Sequence, residues 1–129
     1  MLKTGILNPH VLYLLARVRH TNTLVIADRG FPLWPQIETV DLSLVGGLPT
    51  VLQVLAAVRA NATFGGAWMA KEFLKSNNAG TQKRFVAALK GASLKFEPHV
   101  DFKKRVPNAI GLIRTGDMTQ YANVILESA

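Results

Sequence analysis

Cysteine is absent from this chain of 129 residues. Its absence excludes a disulfide framework, a thiolate metal site, a cysteine nucleophile and redox chemistry at sulfur. The three histidines, His10, His20 and His99, do not have a metal-binding spacing such as His-Glu-x-x-His, so no metal site is expected. Neither cysteine chemistry nor a histidine-based metal site is therefore expected.

Long hydrophobic runs are also missing, and none approaches the length of a membrane span. The N-terminal residues do not resemble a signal peptide, so we predict a cytoplasmic location with no membrane partner. Hydrophobic residues nevertheless make up 49% of the chain and the mean hydropathy is +0.20, which is high for an isolated soluble domain. This excess predicts that some surface is buried against other subunits.

Acidic residues are few: eight stand against fifteen lysines and arginines, which gives a net charge of +7. Such a balance raises the question of a polyanionic partner. The densest basic clusters, 103–105 and 83–84, have no interleaved aromatics, and the chain lacks helix-turn-helix spacing and a glycine-rich phosphate loop. We therefore expect a solvated basic face and no nucleic acid, although a nucleic-acid-binding domain stays an alternative that predicts steep salt dependence.

Helical and strand-like patterns alternate along the chain. The helices are predicted at 9–18, 49–59, 81–90 and 100–104, and the strands at 23–27, 39–42, 63–69, 94–96, 109–113 and 124–126. Strand 23–27 is apolar throughout, as in a parallel strand covered by helices on both faces. This alternation predicts a single α/β domain over residues 1–129, layered, with a mainly parallel central sheet flanked by helices.

A polar insert at 115–123 separates the last two predicted strands. Tyr121 and Asn123 lie two apart at the entrance of strand 124–126, and such residues on an extended chain point to the same side. A phenol and a carboxamide together donate and accept hydrogen bonds without carrying charge, which suits recognition of sugar hydroxyls. The alternative is a loop in which both side chains satisfy backbone groups.

His20 and Asp28 stand on either side of strand 23–27. Asp28 directly follows a buried strand, and ligands of open α/β sheets bind at the carboxyl ends of strands. A carboxylate beside an imidazole makes a proton donor that works near neutral pH; the alternative is a polar helix end and a turn-forming Asp. His99 offers a second imidazole, and Lys103 nearby is of a type usually found at the surface.

A series of short motifs runs in order along almost the whole chain. They are Gly5-Ile6-Leu7-Asn8, His20-Thr21-Asn22-Thr23, Asp28-Arg29-Gly30-Phe31-Pro32, Val40-Asp41-Leu42, Gly47-Leu48-Pro49, His99-Val100-Asp101-Phe102-Lys103, Ile113-Arg114-Thr115-Gly116-Asp117 and Tyr121-Ala122-Asn123-Val124-Ile125. Together they resemble the RbsD/FucU family, and the C-terminal ones resemble its RbsD branch more than its fucose mutarotase branch. Each motif is weak alone, but their joint occurrence is specific.

The resemblance implies an RbsD-like fold and a cofactor-free sugar isomerase that interconverts the pyranose and furanose forms of D-ribose. It further implies a homo-oligomer, a pentameric ring or a decamer, with sites between subunits. His20 would be the proton donor, and Asp28 its partner or a sugar ligand. The other sugar contacts would be His99, Lys103, Tyr121 and Asn123. The resemblance places Tyr121 and Asn123 on the chain adjacent to the rest of the site.

Two arginines depart from the family pattern: Arg19 precedes the histidine and Arg29 follows the aspartate, where small residues are usual. Their charges keep an anionic or phosphorylated sugar open as an alternative substrate. Two further alternatives are a mutarotase for another monosaccharide and a non-catalytic sugar-binding accessory of a transport system. Retention of His20 and Asp28 favours catalysis, because binding alone needs no titratable donor.

Overall fold

Six strands form one sheet in the computed structural model, which describes residues 1–129. They are β1 (Thr23–Ala27), β2 (Glu38–Asp41), β3 (Phe64–Ala70), β4 (Ser93–Glu97), β5 (Gly111–Arg114) and β6 (Val124–Ser128). The order across the sheet is β2-β5-β1-β6-β3-β4. Five strands run in one direction, and β6 runs antiparallel to both of its neighbours. The predicted α/β fold with a mainly parallel sheet is confirmed.

Five helices accompany the sheet. They are α1 (Pro9–Arg17), α2 (Val51–Asn61), α3 (Lys71–Ser76), α4 (Ala79–Ala88) and α5 (His99–Arg105), followed by a 3-10 turn at Val106–Asn108. Helix α3 is absent from the sequence prediction because it follows β3 directly and has no side-chain cap to mark its start. The other helices, like all six strands, lie within two residues of their predicted bounds. No helix is long and apolar enough to cross a membrane.

Side-chain caps fix where the first two helices begin. The carboxamide of Asn8 accepts hydrogen bonds from the backbone N–H groups of His10 and Val11, both at 3.0 Å, and Pro9 fits the first turn, which needs no donor. Thr50 and Gln53 form a reciprocal capping box at the start of α2. These local signals are why both helices were predictable.

The sheet is covered on both faces. Leu24 and Ile26 of β1 point into the larger core, which contains buried residues of α1, α2, α3 and α4. Val25 and Ala27 point the other way and pack in a smaller core with Phe102 of α5. Strand β1 is therefore buried on both faces, as its uninterrupted apolar run predicts.

Candidate functional site

Polar side chains cluster at one edge of the sheet, the edge formed by the ends of its strands. The carboxyl ends of the five parallel strands lie at this edge, and so does the amino end of the antiparallel strand β6. Asp28 follows β1, His99 follows β4, and Asn123 precedes β6. Topology, rather than sequence proximity, therefore brings these three residues together.

A cleft of about 420 Å³ opens at this edge. Four of the predicted site residues line it: Asp28, His99, Tyr121 and Asn123. The rest of its wall comes from the neighbouring segments 29–32 and 117–120. All four residues belong to a single chain, in which Asn123 Oδ1 accepts a hydrogen bond from the Asp28 N–H. Within this chain, Tyr121 and Asn123 therefore share a cleft with Asp28 and His99, whereas the resemblance places them on the chain adjacent to the rest of the site.

Asp28 is held by backbone and amide contacts. Its N–H donates to Asn123 Oδ1 at 2.8 Å, and its own Oδ1 accepts from the N–H of Gly30 at 2.9 Å. Burial raises the pKa of the Asp28 carboxyl, the Gly30 and Asn123 contacts oppose this, and the nearby charge of Asp117 adds to the rise. The carboxyl thus gains proton affinity while it stays fixed in place.

His99 is the first residue of α5, and its N–H donates to Glu72 Oε2 at 2.6 Å. Its ring meets the Tyr121 ring edge to face, with centroids 5.1 Å apart, and stacks on Phe102 at 6.0 Å. Burial, then the charge of Lys103, lowers the pKa of His99 below its usual 6.5, so the imidazole is neutral at pH 7. Its Nε2 is buried and has no hydrogen-bond partner.

Tyr121 and Asn123 do not share a face in the way predicted from an extended chain. Tyr121 has a φ of +56°, in the left-handed region, so the alternation of an extended strand does not apply to it. Its ring packs on His99, whereas Asn123, only 2% exposed, reaches Asp28. Both nevertheless line the cleft, from different walls.

His20 lies far from the cleft. It is exposed and precedes β1, whereas Asp28 follows that strand. A rise of about 3.3 Å per residue separates the two ends of β1, Thr23 and Ala27, by roughly 13 Å, and His20 and Asp28 lie beyond those ends, so their side chains do not pair within one chain. The pairing of His20 with Asp28 that the resemblance implies stays a prediction, for residues of two neighbouring subunits. The backbone beside His20 is unusual, since Thr21 has a φ of +64°.

The three remaining cations, Lys103, Arg29 and Arg19, lie in different surroundings. Lys103 is half-buried one helical turn after His99, does not line the cleft, and acts on His99 through its charge. Arg29 lines the cleft and makes no ion pair. The guanidinium of Arg19 instead donates to the carbonyls of Ala16 at 2.7 Å and Val18 at 3.0 Å, which completes the end of α1.

Two acidic residues that hold the walls of the cleft in place were not predicted from the sequence. Asp117, 5% exposed, accepts from the N–H of Val51 at the start of α2 and from the N–H of Thr119, both at 2.8 Å. Its sequence context showed only turn chemistry. Glu72, which holds the start of α5, lies in the unpredicted helix α3, so no local signal pointed to it.

The cleft combines groups suited to proton transfer on a neutral, hydroxyl-rich ligand. It offers a carboxyl with a raised pKa, a neutral imidazole, a phenol and a carboxamide. Titratable groups whose environments push their pKa values in opposite directions are typical of acid and base pairs.

The chain is similar to known proteins over its whole length. The model of the RbsD / FucU transport protein family matches residues 1–129. The chain belongs to this family. A D-ribose pyranase of Geobacillus kaustophilus is 41% identical over 99% of the chain and 93% of the relative. A D-ribose pyranase of Chromobacterium violaceum is 43% identical over 99% and 97%.

Solved structures of the family agree with the fold. The structure of Bacillus subtilis RbsD complexed with D-ribose superposes with a TM-score of 0.93 at 34% identity, covering 100% of this chain and 98% of the other. A fucose mutarotase from Streptococcus pneumoniae in complex with L-fucose has a TM-score of 0.83 at 17% identity, covering 99% and 98%. The second match shows the shared fold alone.

Proposed function

We propose that this protein is an isomerase that interconverts the pyranose and furanose forms of D-ribose by general acid/base catalysis. The observation that carries the proposal is the cleft in which Asp28, with a raised pKa, and His99, with a lowered one, share walls with Tyr121 and Asn123. The D-ribose pyranases at 41% and 43% identity support the choice of sugar and reaction.

The reaction requires only a proton donor and a proton acceptor at the right positions. In the pyranose, the bond from C1 to the ring oxygen O5 breaks, O5 gains a proton, and the anomeric hydroxyl loses one to give the open-chain aldehyde. The hydroxyl oxygen on C4 then attacks C1 and loses its proton while the carbonyl oxygen gains one, which closes the furanose. One acid and one base suffice, and no cofactor is required.

We assign the base to Asp28 or to neutral His99, with Tyr121 and Asn123 holding the sugar hydroxyls. The aromatic ring contact orients His99, and the Lys103 charge favours its neutral form, which is the form able to accept a proton. The acid in this proposal is His20 of a neighbouring subunit. Its exposure at the opposite edge of the sheet leaves it free to reach another chain.

A head-to-tail ring is the assembly that fits this division of the site. In such a ring, each subunit presents one surface to the cleft of the next, and every interface is identical. A pentameric ring, or a decamer, would place the His20 edge of one subunit over the cleft of another. Exposed apolar residues beside the cleft, Met118 on its rim and Leu44, Val45 and Leu48 in the adjoining turn, support burial by a neighbour.

Arg29 favours one alternative substrate class. Arg29 lines the cleft and its guanidinium forms no ion pair, which suits an anionic monosaccharide. A panel that pairs D-ribose with a sugar acid and a sugar phosphate tests this reading. Faster exchange of an anionic sugar, lost in Arg29→Met, would assign that substrate instead.

NMR exchange spectroscopy of D-ribose with and without the protein tests the proposal. We expect the wild type to accelerate exchange between pyranose and furanose, and His20→Ala or Asp28→Asn to lose about a hundredfold to ten-thousandfold of that acceleration. The exposed His10, in the first turn of α1, provides the control, and His10→Ala should behave as wild type. Ribose binding without acceleration by the wild type would favour the non-catalytic accessory and overturn the isomerase.

A further inference from the structure

Arg114 ends strand β5 directly behind the cleft wall, and its side chain is only 13% exposed. A buried charge is costly unless it is paired or hydrogen-bonded. The nearest carboxylate oxygen, on Asp41, is 4.0 Å from Nε, too far for a strong pair. The guanidinium must therefore be satisfied in another way.

Backbone carbonyls of the loop that follows β1 provide that satisfaction. Nη1 donates to the carbonyl of Phe31 at 2.6 Å, Nη2 donates to that of Pro32 at 3.2 Å, and Nη1 has longer contacts with those of Arg29 at 3.3 Å and Asp28 at 3.5 Å. A planar guanidinium with several fixed donors can hold such a set, whereas a single ammonium cannot. Arg114 thus holds the carbonyl groups on the side of this loop that faces away from the cleft.

The front of the same loop faces the site. The carbonyl of Arg29 and the N–H of Gly30 belong to one peptide unit, and in a trans peptide they point in opposite directions. While that carbonyl turns toward Arg114, the N–H donates to Asp28 Oδ1 at 2.9 Å. The preceding peptide unit repeats the arrangement, with the Asp28 carbonyl toward Arg114 and the Arg29 N–H donating to the carbonyl of Asp117 at 3.0 Å.

We infer that Arg114 is a positioning residue that orients two consecutive peptide units so that their N–H groups hold the Asp28 carboxylate and the Asp117 segment in the cleft. The residue touches no substrate in this role. It acts through the loop, and its effect on catalysis rests on the proposed function. Its effect on Asp28 does not depend on which reaction the cleft performs.

The decisive readout is the titration of the Asp28 carboxyl carbon, followed by NMR in protein labelled at aspartate. Because the Gly30 N–H lowers the pKa of Asp28, loss of that bond raises it. The titratable and charged groups around this carboxyl are Asp117 in the segment after β5, His99 in α5, and Arg29 and Arg114, and only the last is changed. We expect Arg114→Met to move the titration to higher pH.

Arg114→Lys separates geometry from charge, because it keeps a cation but cannot bridge several carbonyls. We expect its Asp28 titration also to move upward, by less than in Arg114→Met. Arg59→Met is the matched control: Arg59 also donates to backbone carbonyls, those of Ala88 and Lys90, in a region remote from the cleft. Its Asp28 titration should equal that of the wild type.

Kinetics provide a second readout. A misplaced catalytic carboxylate should lower kcat by up to about a hundredfold in Arg114→Met, with a smaller change in KM. If the wild type does not exchange ribose, the proposed function fails while the titration still decides the role of Arg114. A wild-type Asp28 titration in Arg114→Lys would overturn the inference, and this holds even if Arg114→Met does not fold.

Discussion

Asn123→Ala is the substitution whose effect follows most directly from the structure. The carboxamide is 2% exposed, and its Oδ1 accepts the Asp28 N–H at 2.8 Å, which joins the start of β6 to the end of β1. Truncation leaves that N–H without a partner, a cost of about 1–3 kcal/mol in the free energy of unfolding. For a chain of this length, such a loss corresponds to a fall in melting temperature of roughly 4–12 °C.

The same substitution should alter the pH dependence of activity. The Asn123 amide lowers the pKa of Asp28, so its loss raises a pKa that burial has already raised. If ionised Asp28 is the base, the acidic limb of kcat/KM moves to higher pH. Thermal unfolding at fixed protein concentration and NMR exchange across pH measure the two effects.

Asn61→Ala is the control, because Asn61 is exposed and its amide donates only to the Ala57 carbonyl one helical turn back. Its melting temperature should stay close to that of the wild type, since surface substitutions usually change stability by less than about 0.5 kcal/mol. An Asn123→Ala protein that matches this control in both melting temperature and pH profile would refute the reasoning.

Two further substitutions have defined outcomes. Burial raises the pKa of Asp28 above its ordinary 3.8, so the ionised carboxyl opposes folding at neutral pH. Asp28→Asn, although strongly impaired in activity, should therefore melt at a higher temperature than the wild type at pH 7 to 8, and this difference should vanish below about pH 4. A Cβ on Gly116 would lie 2.5 Å from the Leu48 carbonyl oxygen and closer still to that of Val45, so Gly116→Ala should cost about 3 kcal/mol, whereas Gly80→Ala in α4 should not destabilise. An unchanged or lower melting temperature for Asp28→Asn at pH 7, or equal melting temperatures for the two glycine variants, would contradict these predictions.

The fold was readable from the sequence where signals are local. Asn8 and Thr50 cap their helices with their own side chains, and the apolar run at 23–27 has no polar position for a solvent face. Helix α3 has neither a side-chain cap nor a preceding helix-breaking residue, so neither the helix nor the role of its Glu72 was predicted. Helices and strands with a local sequence signal were thus predicted, whereas a helix that begins without such a signal was not.

Four of the residues predicted for the site line one cleft, but the geometry of that cleft could not be predicted from the sequence. Asp28 was expected at a ligand site because it follows a buried strand, but no local pattern shows that this strand holds His20 and Asp28 at opposite ends. The left-handed backbone of Tyr121 also breaks the alternation assumed for it. Arg114 and Asp117 form hydrogen bonds with backbone groups that are distant in sequence, so no local pattern indicates their positions in the structure. One domain over residues 1–129, the ring and the cytoplasmic location stay predictions.

Subunit complementation tests the central claim, a site divided between the His20 edge of one chain and the Asp28 cleft of the next. His20→Ala and Asp28→Asn proteins, each nearly inactive, are unfolded together, mixed at equal amounts and reassembled. Random head-to-tail mixing joins two intact halves at about one interface in four, so roughly a quarter of wild-type exchange should return. A mixture of Asp28→Asn with His99→Ala, whose changes lie in the same half, should stay nearly inactive. Recovery in that second mixture, or none in the first when mixed rings are verified by mass, would contradict the account.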